Sequence, residues 1–226
     1  MSELPEIIFV DKPIGMTSFD VIRELRKKTG IRKFGHAGTL DPLATGLMIL
    51  GVEKGTKRLE EFIKLDKEYV AEVRVGESRT TDDLEGEIVE ESEVKEIKQS
   101  EISSTVQSLV GTLRLPVSAY SAIKKDGKPM YKRAREAEAI GEVVTDVPVR
   151  DMVVLEAQLL DTQAVEIAGK RRLILKIRFH VASGVYIRSL ARELGKRLGY
   201  PATIQSLRRT KVGEYDVKDA LFLDAI

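Results

Sequence analysis

Apolar positions along the chain recur with two periods, and these separate the expected strands from the expected helices. Tyr69, Ala71, Val73 and Val75 alternate with more polar neighbours, the two-residue period of a half-buried strand. Leu173, Leu175, Ile177, Phe179 and Val181 repeat the pattern and form the clearest strand of the sequence. Leu47–Val52 is apolar without interruption and reads as a buried strand, and Ile7–Val10 is a shorter apolar run. That run ends in the turn-forming Lys12-Pro13-Ile14-Gly15. Helical spacing follows Thr17 and Asp20, a capping-box pair, with Phe19, Ile22 and Leu25 recurring until Gly30. Leu59, Phe62 and Ile63 predict a short helix. Ile102, Val106, Leu109 and Val110 predict another, capped by Gly111. Tyr186–Leu198 is helical and stopped by Gly199 and Pro201. Ser118–Lys128 reads as loop, with Pro129 as the first residue of a basic helix. The segment GHAGTLDPLATG (35–46) is too rich in glycine and turn residues for a regular element. Strands and helices mix irregularly and without internal repeats. The expectation is an α+β fold in one domain over 1–226, with a central mixed or antiparallel sheet flanked by helices.

Composition narrows the chemistry. The 226 residues hold 37 bases, 36 acids and 42% hydrophobic side chains, enough for a proper core. No run approaches a membrane span, and MSELPEIIFV has acids and a proline where a signal peptide carries bases. A cytoplasmic protein without membrane association is expected. Cysteine is absent and His36 and His180 are the two histidines, which removes disulfides, thiolate nucleophiles, iron–sulfur ligation and zinc sites built on Cys or paired His. A carboxylate-only Mg²⁺ site is all that ligand chemistry leaves open. Neither GxGxxG after a strand nor GxxxxGK[ST] occurs, so nucleotide cofactors have no visible cradle.

The net charge of +1 conceals segregation. Nine acids face two lysines over Asp82–Glu101, and six bases face one acid over Ala122–Arg135. Further bases cluster at 170–172, 188–197 and 208–211. Such runs are ordinary solvated surface unless several face one way, when they make an electrostatic footprint for nucleic acid.

Asp41 stands in the most informative loop, followed by proline and flanked by Gly35, Gly38 and Gly46, with His36 upstream. A plain Asp-Pro turn would also use the carboxylate. A presented aspartate could be a base, a nucleophile or a metal ligand. As a nucleophile at a sugar carbon it must stay ionised while partly out of water, which requires a cation beside it. Arg188, opening a helix after a Ser-Gly turn, is the candidate, since arginine can grip a carboxylate with two parallel bonds. Tyr69 is either core or a face for a flipped base, and His36 either satisfies its loop or meets RNA.

Six segments in order then carry a resemblance: DKPIGMTSFD (11–20), GHAGTLDPLATGLMILGV (35–52), KEYVAEVRVG (67–76), the Pro116…Ser121-Ala122…Lys124…Gly127…Tyr131…Ala134-Arg135 pattern, SGVYIRSLAREL (183–194) and LRRTKVGEY (207–215). Together they resemble the TruB family of tRNA pseudouridine synthases over almost the whole chain. The resemblance implies a pseudouridine synthase fold and cofactor-free, metal-free conversion of uridine to pseudouridine by base flipping. The implied target is position 55 in the T loop of tRNA. It implies Asp41, Tyr69 and Arg188 as catalytic residues, and His36, Tyr186, Leu207, Arg209 and Lys12 as residues that line or support the uridine pocket. A basic insertion at about 118–146 is implied to grip RNA through Lys124, Lys125, Lys128, Lys132 and Arg135. The T arm of tRNA is the implied partner, with no obligatory protein partner, and a monomer is expected. The chain stops soon after the last segment, so no C-terminal RNA-binding (PUA-like) domain is expected. Two rivals are a guide-RNA-dependent rRNA pseudouridine synthase and a non-catalytic tRNA-binding chaperone. Asp41, Tyr69 and Arg188 together weigh against the chaperone. The acidic stretch 82–101 is expected to lie away from RNA.

Overall fold

The structure is a computed structural model that describes residues 4–142 and 144–226. Its strands are β1 (Ile7–Lys12), β2 (Phe34–His36), β3 (Ala44–Val52), β4 (Lys67–Val75), β5 (Glu77–Arg79), β6 (Ile88–Glu91) and β7 (Gly111–Pro116). They continue with β8 (Lys124–Lys125), β9 (Lys128–Pro129), β10 (Val149–Ile167), β11 (Lys170–Val181), β12 (Ala202–Val212), β13 (Tyr215–Asp216) and β14 (Leu221–Phe222). The helices are α1 (Ser18–Thr29), α2 (Leu59–Ile63), α3 (Gln99–Gln107), α4 (Met130–Glu138) and α5 (Ile187–Leu198). This is the expected α+β architecture, with parallel and antiparallel pairs in one mixed sheet. Among the described residues no helix is long and apolar enough to cross a membrane.

The chain divides into two compact units. One contains the described residues up to Ala71, with Arg178–Ser183 and Ser206–Ile226; the other contains Glu72–Ile177 and Gly184–Gln205. In the first, β3 pairs antiparallel with β1 along 46–51, antiparallel with β2 along 50–52, and parallel with β12 along 44–46. Met48, Leu50 and Val52 of β3 pack with Val21, Ile22 and Leu25 of α1, whereas Leu47 and Ile49 pack with Leu59 and Phe62 of α2. Burial on both sides is why this strand is apolar at every position. The second unit holds the β10–β7 pair, the small hairpins β5–β6 and β8–β9, and helices α3, α4 and α5.

The Thr17–Asp20 capping box is present in both directions, with Thr17 N donating to Asp20 Oδ2 at 2.9 Å and Asp20 N to Thr17 Oγ1 at 3.0 Å. Several boundaries differ from those expected. Residues 34–36 form β2 and β3 begins at Ala44, so the irregular segment shrinks to 37–43. Cross-strand pairing with β3 outweighs the turn propensity of Gly35. Helix α3 ends at Gln107, and Gly111 starts β7 instead of capping the helix. The stretch expected as loop before Pro129 contains the β8–β9 hairpin, and Pro129 is the N-cap of α4. Phe19 is not a core residue: it is 54% exposed, and Val21 completes the buried face of α1.

Gly46 (φ +104°) is placed so that a Cβ would lie 2.2 Å from the Arg209 carbonyl oxygen, inside the β3–β12 pair. Gly46→Ala should therefore cost more than about 3 kcal/mol in urea unfolding, since backbone on both sides must move. Gly15→Ala, at φ +82° but with open space around it, should cost only about 1 kcal/mol. Equal costs at the two positions would show that the β3–β12 contact is not tight.

Candidate active site

The segment 37–43 is too short and twisted to form a ladder, so its polar groups are met by side chains and by a neighbouring turn. Lys12, at the end of β1 and fully buried, donates from Nζ to Met16 O at 2.6 Å, Pro13 O at 2.9 Å and Pro42 O at 3.3 Å. Gly15 N donates to Pro42 O at 2.9 Å. Ser18, buried at the start of α1, accepts from Leu40 N at 2.9 Å and donates to Leu40 O at 3.2 Å. Asp41 is half-buried between these anchored neighbours, and its carbonyl accepts from Ala44 N at 3.0 Å.

The parallel register of β12 sets Leu207 beside Ala44 and Arg209 beside Gly46. Arg209 is 1% exposed; its Nε donates to Leu47 O at 2.7 Å and its Nη2 to Gly38 O at 3.4 Å. His36 ends β2 opposite Leu50. Burial pushes its imidazole below the usual range against a backbone hydrogen bond with Gly38, and Arg209 lowers it further. The first unit thus gathers Lys12, His36, Leu207 and Arg209 around the segment that carries Asp41. Tyr69 lies on the buried face of β4, in register with Lys67 and Ala71.

Lys67 was not singled out by the sequence, where it is one more lysine of a strand. It is 6% exposed, and its Nζ donates to Ile63 O at 2.7 Å and also to Leu65 O. Burial, aided by the Arg209 charge and opposed by Asp66, pushes its ammonium down to about 8. Asp66 is held below the ordinary carboxylate range by its hydrogen bond with His180.

In the second unit Tyr186 is the N-cap of α5 and Arg188 its second residue. Arg188 is buried, not on the helix surface: Nη1 donates to Thr81 O at 2.9 Å and Ser118 Oγ at 3.4 Å, and Nη2 to Tyr120 O at 3.1 Å. Asp83, 2% exposed, stands 3.8 Å from its Nη1. Asp82 pairs with Arg192 at 3.5 Å, and burial pushes its carboxyl up against the pull of Arg192, the Ser118 hydroxyl and Arg188. The first two acids of the acidic run are therefore interior groups that position arginines. The Thr-Thr-Asp-Asp sequence, with hydroxyls able to bond the carboxylates, was the available signal; Thr81 Oγ1 donates to Asp83 Oδ1 at 2.5 Å.

The 118–146 insertion is less cationic than its sequence. Lys125 pairs with Asp146 and Lys128 with Glu136, while Arg133 pairs with Asp126 at 3.0 Å. Arg135 lies over the Tyr131 ring at 5.9 Å. Lys124 and Lys132 are exposed and form no ion pair among the described residues.

Comparison with known proteins decides the family. Residues 26–187 match the family described as TruB family pseudouridylate synthase (N terminal domain). The chain belongs to the TruB family. It is accordingly an enzyme of the isomerase class, as pseudouridine synthases are. Among TruB relatives, tRNA pseudouridine synthase B of Leifsonia xyli subsp. xyli is 44% identical over 221 residues, covering 95% of this chain and 69% of that protein. The enzyme of the same name from Corynebacterium efficiens is 41% identical over 219 residues, again covering 95% and 69%. The fold is shared with a chain in the structure of an H/ACA RNP bound to a substrate RNA containing 2'-deoxyuridine, at TM-score 0.65 and 24% identity. That match covers 96% of this chain and 51% of the other, so the TruB chain spans about half the length of that neighbour.

The buried Lys67 gives a pH signature. Its folded value of about 8 lies below the 10.5 of an unperturbed lysine, so between them the unfolded chain binds more protons and stability linked to this group rises with pH. The stability difference, native minus Lys67→Met, should therefore increase between pH 7.5 and 10 in urea unfolding. A difference that stays constant would show that Lys67 titrates normally.

Proposed function

We propose that the protein converts the T-loop uridine of tRNA, position 55, to pseudouridine, with Asp41 as the group that acts on the ribose. What supports this reading most is the bracing around Asp41: a buried ammonium, a serine and a turn amide fix the residues on both sides of it, and Asp41 itself is half-buried. Such anchoring suits a group that must meet a sugar carbon in one geometry. The relatives' shared name, tRNA pseudouridine synthase B, supports the substrate class.

The target base must leave the stack of its loop, which costs a few kcal/mol and is offset by phosphate contacts and base stacking. Asp41 then either attacks C1′ or removes a ribose proton to give a glycal; both routes release uracil by breaking N1–C1′. The uracil rotates and C5 bonds to C1′ as the Asp41 carboxylate leaves it or, on the glycal route, as the proton returns to C2′. The C5 proton then leaves and N1 gains one, so atoms balance without cofactor or oxidant. Tyr69 underlies the base and aids removal of the C5 proton. Arg188 is the cation this reading assigns to keeping the aspartate ionised; within its own unit its guanidinium is held by the carbonyls of Thr81 and Tyr120. His36 meets the RNA where the base has left, and Tyr186 and Leu207 line the pocket. The exposed bases of the insertion grip the tRNA.

Tritium release from [5-³H]uridine tRNA tests the reaction. The native protein should release about one equivalent per tRNA, because one position reacts, while Asp41→Asn should bind tRNA and release none. Release by both would move the chemistry to another residue, and binding without release by either would favour a chaperone. Lys124→Ala with Lys132→Ala should lower the salt slope of tRNA binding by about 1.5, as two phosphate contacts do. Lys125→Ala with Lys128→Ala should change it less, since those ammonium groups already face carboxylates. The opposite ranking would place the RNA on the paired lysines.

A further inference from the structure

The exposed side of α1 has a feature that an amphipathic helix does not require. Phe19 is 54% exposed, in a helix whose Val21, Ile22 and Leu25 are buried. Two guanidinium groups lie over its ring, Arg23 at 5.6 Å and Arg26 at 5.7 Å from the centroid. Arg23 also pairs with Asp20 at 2.8 Å. Arg26 forms no ion pair among the described residues, and its Nε is shielded from solvent without an acceptor. Close to it along the chain, Thr17 and Lys27 are exposed, as is Ile14.

The position matters as much as the composition. Ser18, next to Phe19 in sequence, is the residue bonded in both directions to Leu40, immediately before Asp41. The first turn of α1 and the segment carrying Asp41 are therefore joined by direct hydrogen bonds. A flat ring with two cations beside it is what an unpaired nucleotide requires, with π-surface for the base and guanidinium for the phosphate.

Resting on the reading that the chain acts on RNA, we infer that Phe19, Arg23 and Arg26 form a subsite for one unpaired nucleotide of the RNA, outside the pocket of the target uridine. The base stacks on Phe19 as the guanidinium groups swing from the ring to its phosphate, and Arg26 has no carboxylate to leave. Arg23 trades its exposed contact with Asp20 for the same phosphate. The subsite holds the loop of the RNA open beside Asp41 once the target base has left its stack.

Binding of a tRNA transcript, with pseudouridine formation followed in parallel, tests this. Phe19→Ala should weaken binding about tenfold, as losing one stacked base does, with the loss expressed in KM more than in kcat. Phe19→Trp should restore binding and Phe19→Leu, apolar but without a π-face, should not. Arg26→Ala should lower the salt slope by about 0.7, the value of one contact to a single strand. Unchanged binding by Phe19→Ala, or full binding by Phe19→Leu, would overturn the subsite. If the native protein binds tRNA in a Phe19-dependent way yet forms no pseudouridine, the subsite stands and the assigned reaction fails. If it forms pseudouridine while Phe19→Ala binds normally, the reaction stands and the subsite falls.

Discussion

Two buried cations bonded to main-chain carbonyls hold the segment that carries Asp41. Lys12 and Arg209 are 0% and 1% exposed, and between them they bond carbonyls of Pro13, Met16, Gly38, Pro42 and Leu47. Removing a charge from water costs several kcal/mol, and charge-assisted bonds offset that cost only when the acceptors are well placed. Four of these acceptors, the carbonyls of Pro13, Met16, Gly38 and Pro42, lie outside the strands, so the cation and the irregular backbone each reduce the other's penalty. An irregular segment becomes as fixed as a strand without adopting a strand's geometry. A side chain presented from it need not point along the pleat.

The same economy governs the acids. Asp82 and Asp83 are buried beside Arg192 and Arg188, and Asp146, Glu136 and Asp126 lie against bases of the insertion. Charge tallies along the sequence therefore misstate the field that an approaching polyanion meets. Part of the acidic run is interior, part of the basic run is neutralised, and the cations left unpaired are fewer and more scattered. For a protein close to zero net charge, association with RNA then depends on where those cations stand more than on their sum.

Elements with strict periodicity were legible in the sequence. The alternation of β4, the apolar run of β3 and the capping box of α1 each reflect one dominant local force, and each stands where it was expected. Strand β10 was not legible: over 19 residues its buried positions do not alternate, because much of it is exposed on both faces. Strand β12 was hidden by Arg208, Arg209 and Lys211, whose charges suggest surface although Arg209 is interior. Phe19 misled for the opposite reason, being apolar and in helical phase yet outside the core. Asp41 stood out through its glycines and proline, but the hydrogen bonds that brace its neighbours join residues 22 to 30 positions apart, which no local pattern records. The buried states of Lys67 and Arg188 are likewise products of tertiary packing.

The tie between Arg209 and the Gly38–Leu47 region spans 162 to 171 positions of sequence. During synthesis, β1, β2, β3 and α1 can all emerge and pack long before residue 209 has been made. The nascent chain thus passes through a stage in which the scaffold exists while the Asp41 segment still lacks one of its two ionic anchors. Chain closure over such a distance is entropically slow. A half-made polypeptide can therefore have its hydrophobic core before the loop bearing Asp41 has been fully braced.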